Sequence, residues 1–266
     1  MPSAEPPDLT GTPYRLLERT AHGEFGAWRA SDTGGNRYVV KTSWSEAGRE
    51  AAGLLNARGY PAPRYVFVRP GLCVQEELPG LPLGKWNELP PWAVECVLTL
   101  NEALGGVRIA DSPRWPERLL DEFGSYNEWI DLTLLERHSD AGATVLRRCM
   151  ELAHRFSDEL HDTGDLVHWD YTTDNILAVG EEITGVVDWD GALNGDRLFD
   201  LATLWYYTRT PALRTYALAR TGEEIWSVYV AHIVLRQTAW SIRFHAPADA
   251  DRLVLDGLEL SETFPA

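Results

Sequence analysis

The chain has 266 residues, 44% of them hydrophobic and 11% aromatic, enough for one large domain or two lobes with a sizeable core. Its formal charge of −16 argues against nucleic acid as the main partner, because phosphate binding needs basic patches. No apolar run approaches the roughly 18 residues needed to cross a bilayer, so no membrane partner is expected either.

The first twenty residues lack a basic start followed by an apolar stretch, so no signal peptide is expected. Cys73, Cys96 and Cys149 are odd in number and form no CxxC pair, which reads as reduced thiols in a cytoplasmic protein. Charge is unevenly spread. Residues 1–83 carry nine basic and nine acidic side chains, so the whole −16 falls on residues 84–266. Such a field attracts cationic ligands, or simply keeps an acidic surface soluble. Lysine occurs only at 41 and 85.

Residues 1–12 hold three prolines and little apolar pattern, and are expected to form a flexible arm. From Tyr14 onward, "YRLLERT", "GAWRASD" and "NRYVVKTSW" read as short strands divided by glycine-bearing turns. "SWSEAGREAAGLLNARG" reads as a helix with Ser43 and Glu46 as a candidate capping box, stopped by Gly59 and Pro61. "RYVFVR" and "LCVQEEL" are two further strands, completing a β-rich lobe over residues 13–77. "PGLPLGKWNELPP" breaks the pattern and places a hinge at 78–84, with a larger, mainly helical lobe over 85–266. There the spacing of Val145, Cys149, Leu152, Phe156 and Leu160 predicts an amphipathic helix over 142–163. Residues 222–245 read as another helix. Between these two helices, "NILAV" and "ITGVV" flank "GEE" as a hairpin. The expected class is α+β.

The hairpin brings Asp170 and Asn175, before its first strand, to the same edge as Asp188, after its second. An amide oxygen and a carboxylate at adjacent strand mouths suit a hard cation such as Mg²⁺. Asp170 is placed to take a proton from an incoming hydroxyl. With a strand lysine at Lys41, these are the parts of a phosphoryl-transfer site.

At this point the sequence resembles the aminoglycoside phosphotransferase family, which has a protein-kinase-like two-lobe fold. The family's H-G-D-x-x-x-x-N stands here as His168-Trp169-Asp170 through Asn175. Its metal-binding stretch stands as Val186-Val187-Asp188-Trp189-Asp190, and its G-D-P-x-x-D-L-A as Gly195-Asp196-Arg197 through Asp200-Leu201-Ala202. The resemblance implies Asp170 as catalytic base, Asn175 and Asp188 on Mg²⁺, and His168 with Asp200 bracing the catalytic loop. It implies Lys41 on the phosphates of ATP or GTP, paired with Glu50 or, one turn earlier, Glu46. Gly23 and Gly26 would cover the phosphates, and the carbonyl of Glu76 and N–H of Leu78 would read the base. Trp169 departs from the usual glycine: either its ring shapes the acceptor floor or it packs outward.

Asp188 and Asp200 are twelve residues apart with no A-P-E stretch between them, too short for a peptide-holding activation segment. That favours a small hydroxylated acceptor, cationic ones included. Trp169, Asp190, Asp121, Glu122 and Glu128 are candidate acceptor contacts, although acidic helix faces are also ordinary solvated surface. An antibiotic phosphotransferase is the leading expectation. A metabolic kinase for choline, a sugar or an amino alcohol uses the same motifs, and a nucleotide-binding scaffold would show degraded ones. Monomer and homodimer both stay open.

Overall fold

A computed structural model of the chain describes residues 5–20, 27–84, 86–124 and 130–265, without the side chains of 122–124. Gly23, Gly26 and Glu128 therefore lie outside the described residues, as does the side chain of Glu122. The architecture is α+β: an antiparallel sheet with one helix, followed by a larger helical assembly.

The N-terminal sheet runs β1 (Arg15–Arg19), β2 (Trp28–Ser31), β3 (Arg37–Lys41), β4 (Tyr65–Arg69) and β5 (Leu72–Glu76), in spatial order β1-β2-β3-β5-β4. Val40 pairs with Trp28 on one side and Val74 on the other, and with Ala30, Leu72 and Val74 it makes a small apolar core. Alternation along the strand then turns Lys41 to the opposite face, beside Cys73. The stretch read as a flexible arm is held down from residue 8. Leu9 packs on the sheet core, and Arg69 Nη1 donates to the Thr10 carbonyl at 3.3 Å.

Helix α1 (Glu46–Asn56) is capped by Ser45, whose Oγ accepts from Gly48 N at 2.9 Å. The cap is thus two residues later than the Ser43–Glu46 box. Ser45 has the extended backbone of a cap, φ −117° and ψ 149°, and Glu46 already opens the helix. Gly48 is needed for packing, since a Cβ there would stand 2.5 Å from the Trp189 carbonyl oxygen. Within the 78–84 segment, Leu81–Pro82 forms β6 and pairs with a strand of the second lobe, so this connection is stitched to that lobe.

The second lobe contains α2 (Pro91–Glu102), α3 (Trp115–Gly124), α4 (Thr133–His138) and α5 (Asp140–Arg155). Its later elements are β7 (Asp165–Val167), β8 (Ile176–Val179), β9 (Glu182–Val186), β10 (Leu193–Gly195), α6 (Leu198–Thr208), α7 (Pro211–Phe244) and α8 (Pro247–Glu262). Helix α5 stops at Arg155 rather than 163; a 3-10 turn at Ser157–Glu159 redirects the chain, and Leu160 is buried beyond it. The helix expected over 222–245 is present: Pro211–Phe244 is two helices joined across Gly222, whose φ of 81° is open to glycine, and the second of them runs to Phe244.

Strand β7 pairs with β10, and β8 lies between β6 and β9. Chain order then fixes the site. The 168–175 loop leaves β7 and enters β8, while the 188–192 loop leaves β9 and enters β10. Behind both lies an aromatic cluster of Trp115, Trp169, Phe199 and Tyr229. A Cβ on Gly195 would stand 2.2 Å from Trp115 Cε3. Gly195→Ala is expected to overpack this cluster and destabilise the fold by about 1–3 kcal/mol, measured as a lower urea midpoint.

Candidate active site

His168 is fully buried at the start of its loop. Its Nε2 lies 2.9 Å from the Val187 carbonyl and its Nδ1 3.3 Å from the Asp170 N–H. These partners call for a neutral ring that donates from Nε2 and accepts at Nδ1. Burial likewise pushes the imidazolium pKa down, against the pull of Asp170. His168 thereby ties the 168–175 loop to the strand end that carries Asp188. A second tie runs from Val187 N to the Asn175 carbonyl, 2.9 Å.

Asp200, in the first turn of α6, grips the same loop. Its Oδ2 accepts from His168 N at 2.8 Å and its Oδ1 from Trp169 N at 3.0 Å. Asp196 sets that helix start by accepting from Leu198 N and from the Tyr229 hydroxyl. Burial pushes Asp200 up to about 7, although its two N–H donors and Arg236 favour the charged form. Between 3.8 and about 7 the folded chain holds a proton that the unfolded chain has released. The contribution of Asp200 to stability therefore falls as pH rises across that window and levels off above it. Denaturant titrations of wild type and Asp200→Asn across this range should differ by that slope, since the opposing contribution of buried neutral His168 is common to both.

Asp170 presents a half-exposed carboxylate (side chain 48%) at the loop mouth. Asn175 Nδ2 donates to both its Oδ2, at 2.9 Å, and its backbone carbonyl, at 2.8 Å. Asp188 sits just past β9 with φ 68°, a left-handed turn that swings its carboxylate out of the strand. It accepts from Lys41 Nζ at 2.6 Å, and Lys41 also bonds Asp190. Burial alone would lower the Lys41 pKa, but the two carboxylates hold it above the ordinary lysine value. Burial would likewise raise Asp188, and Lys41 holds it below the ordinary carboxylate value.

Two expectations change here. Glu50 does not meet Lys41: its Oε1 accepts from Ala110 N at 2.9 Å, while Glu46 pairs with Arg49. The lysine partner comes instead from the second lobe. Ser45 explains this, because its Oγ donates to the Asp190 carbonyl at 2.8 Å and so draws Asp190 against the start of α1. Asp190 is thereby engaged toward the N-terminal sheet. Trp169, 8% exposed, turns inward, stacked on Phe199 at 4.9 Å and 19°. It does not pack outward.

Of the remaining predicted residues, Asp121 is exposed on α3. Leu78 lies over Gly185 of β9, where a Cβ would come within 2.9 Å of Leu78 Cδ1, and Gln75, the β5 residue before Glu76, is buried. Arg236 is a site residue the motif reading missed. Both of its terminal nitrogens donate to the Trp169 carbonyl at 3.1 Å. A single arginine closing the mostly apolar run from Trp226 to Leu235 was the available signal.

The family model described as "Phosphotransferase enzyme family" matches residues 18–229, most of the chain and all of these site residues except Arg236. The chain belongs to this family. Hygromycin-B 4-O-kinase from Escherichia coli is 21% identical over 218 residues, covering 72% of this chain and 62% of that one. The chain thus spans less than two thirds of that curated relative. Among solved structures, aminoglycoside phosphotransferase APH(4)-Ia gives a TM-score of 0.71 at 17% identity, covering 92% of this chain and 93% of that one. A thermostable mutant of it, solved with ADP and hygromycin B, gives 0.66 at 17% identity, covering 92% and 94%. Choline kinase LicA from Streptococcus pneumoniae gives 0.63 at 13% identity, covering 92% and 94%. These likenesses show that this member of the family shares the phosphotransferase fold.

Proposed function

We propose that this chain is an Mg²⁺-dependent O-phosphotransferase that moves the γ-phosphoryl group of ATP or GTP to a hydroxyl of a small molecule. The observation that carries the reading is the pairing of two loops: Asp170 steadied by Asn175 on one, and Asp188 bonded to Lys41 on the other. A base and a phosphate-binding cation thus stand at neighbouring strand mouths.

The residues fit a hard cation. Asn175 uses its Nδ2 on Asp170, which leaves Oδ1 to serve as an oxygen ligand, with the Asp188 carboxylate as a second. Among the described residues, no three His, Cys, Asp or Glu side chains cluster to hold a metal. Mg²⁺ keeps waters and takes further oxygens from nucleotide phosphates, so two protein ligands are enough for it. When bound, the ion neutralises charge on the phosphates. Lys41 holds the phosphates alongside, with Asp190 keeping the ammonium in place. The base lies against Leu78 and Gln75, read by the Glu76 carbonyl and the Leu78 N–H, with Gly23 and Gly26 over the phosphates. Asp170 orients the acceptor hydroxyl in line with the γ-phosphorus and takes its proton as the new P–O bond forms and the bond from the γ-phosphorus to the departing nucleoside diphosphate breaks.

For the acceptor we favour a hydroxylated antibiotic, aminoglycosides included, with resistance by inactivation as the outcome. Family membership and the net negative second lobe support this, with Asp121, Glu122 and Glu128 as candidate ammonium contacts. The likeness to choline kinase LicA supports a second reading, a metabolic amino-alcohol kinase. Mass spectrometry of acceptor panels incubated with Mg²⁺ and ATP or GTP separates the two. An added phosphoryl group on antibiotics alone supports the first, and one on amino alcohols alone replaces it with the second. No helix among the described residues is long and apolar enough to cross a membrane, and a cytoplasmic site of action is part of this proposal.

A further inference from the structure

Helix α7 buries every residue from Trp226 to Leu235 and then presents Arg236, whose side chain is only 11% exposed. A guanidinium so placed needs hydrogen-bond partners. It finds them on the catalytic loop, giving two bonds of 3.1 Å to the Trp169 carbonyl and standing 3.9 Å from Asp170 Oδ1. Its Cζ lies 5.4 Å from the Trp169 ring centroid, and Arg118 Cζ lies 5.3 Å from the same ring.

Trp169 has φ 77°, a left-handed backbone that a bulky side chain resists. The peptide is held in that state from both ends. Asp200 takes the Trp169 N–H, and Arg236 takes the carbonyl of the peptide bond that leads into Asp170. Rotation of that peptide would relax Trp169 and swing the Asp170 carboxylate off its bond to Asn175.

We infer that Arg236 is a positioning residue of the catalytic loop, fixing the Trp169–Asp170 peptide so that the Asp170 carboxylate faces the acceptor. The inference rests on Asp170 being the base. It also explains how tryptophan is tolerated at a left-handed position: the arginine supplies the restraint that the residue's own preference opposes. Lys41 and Asp188 do not bond Arg236, so nucleotide binding is outside its reach.

The test compares Arg236→Met and Arg236→Lys in the full chain, by steady-state kinetics and by amide hydrogen exchange over residues 168–171. Arg236→Met should lower kcat about 100-fold with the nucleotide KM unchanged, the scale expected of a small misplacement of a reacting group. Exchange over 168–171 should quicken. Arg236→Lys, which keeps the charge but not the fork, should recover part of the loss. In a Trp169→Gly background, where glycine adopts the left-handed state freely, Arg236→Met should cost far less. If Trp169→Gly does not fold, the Met and Lys variants decide alone. An Arg236→Met enzyme that melts earlier but keeps kcat and slow exchange overturns the inference, as does an equal loss in both backgrounds. If the wild type transfers no phosphoryl group, the base assignment fails separately. Exchange then decides: quickening in Arg236→Met supports the clamp, and no change overturns it.

Discussion

Asp170→Asn should lower kcat by about 10³-fold while leaving nucleotide affinity within about twofold, the scale of removing a positioned general base. The substitution is nearly isosteric, and its amide oxygen can still accept from Asn175 Nδ2, which now bonds Asp170 Oδ2 at 2.9 Å. His168 and Asp200 hold the loop through its backbone and through Val187, so their bonds survive the change. What disappears is the carboxylate that takes the acceptor proton. Calorimetric titration with nucleotide and steady-state kinetics together read the two halves of this expectation. Loss of nucleotide binding would mean the loop had collapsed, and turnover within tenfold of wild type would mean Asp170 is not the base.

Lys41→Met should reduce kcat/KM for the nucleotide by about 10³-fold, roughly 4 kcal/mol of transition-state stabilisation. Two carboxylates, Asp188 and Asp190, now share one ammonium. Without it they face each other uncompensated, and negatively charged phosphates must approach them unaided. The informative companion is Glu50→Gln. Because Glu50 bonds the Ala110 N–H and not Lys41, its loss should leave nucleotide KM within about threefold, in the range of a single exposed hydrogen bond. A kinase-like lysine–glutamate pair would predict the reverse, a large rise in nucleotide KM. Kinetics on the two variants side by side distinguishes these arrangements.

The segments that build the site were legible because each had a strong local signature. "RYVVK" alternates, the hairpin is two apolar runs around a glycine turn, and Asp170, Asn175 and Asp188 lie at the ends of those runs. Topology then needs only β7 beside β10 and β9 beside β8 to bring the loops together. What the sequence hid was decided by contacts between distant segments. Nothing around Ser45 announces that its hydroxyl will bond a carbonyl 145 residues away, yet that bond draws Asp190 to Lys41 and leaves Glu50 to Ala110. The inward turn of Trp169 was equally hidden, since it depends on Phe199 from α6 and on Arg236 and His232 from α7. Where α5 ends was misread for a different reason. Leu160 keeps the apolar spacing while the backbone has already left the helix.

The most direct test of the proposed chemistry is phosphoryl transfer itself, read by mass spectrometry on a panel of hydroxylated antibiotics and amino alcohols with Mg²⁺ and ATP or GTP. The expected result is an acceptor that gains one phosphoryl group with the wild-type chain and gains none with Asp170→Asn. An acceptor phosphorylated equally by both proteins, or nucleotide bound tightly with no acceptor modified across the panel, would contradict it.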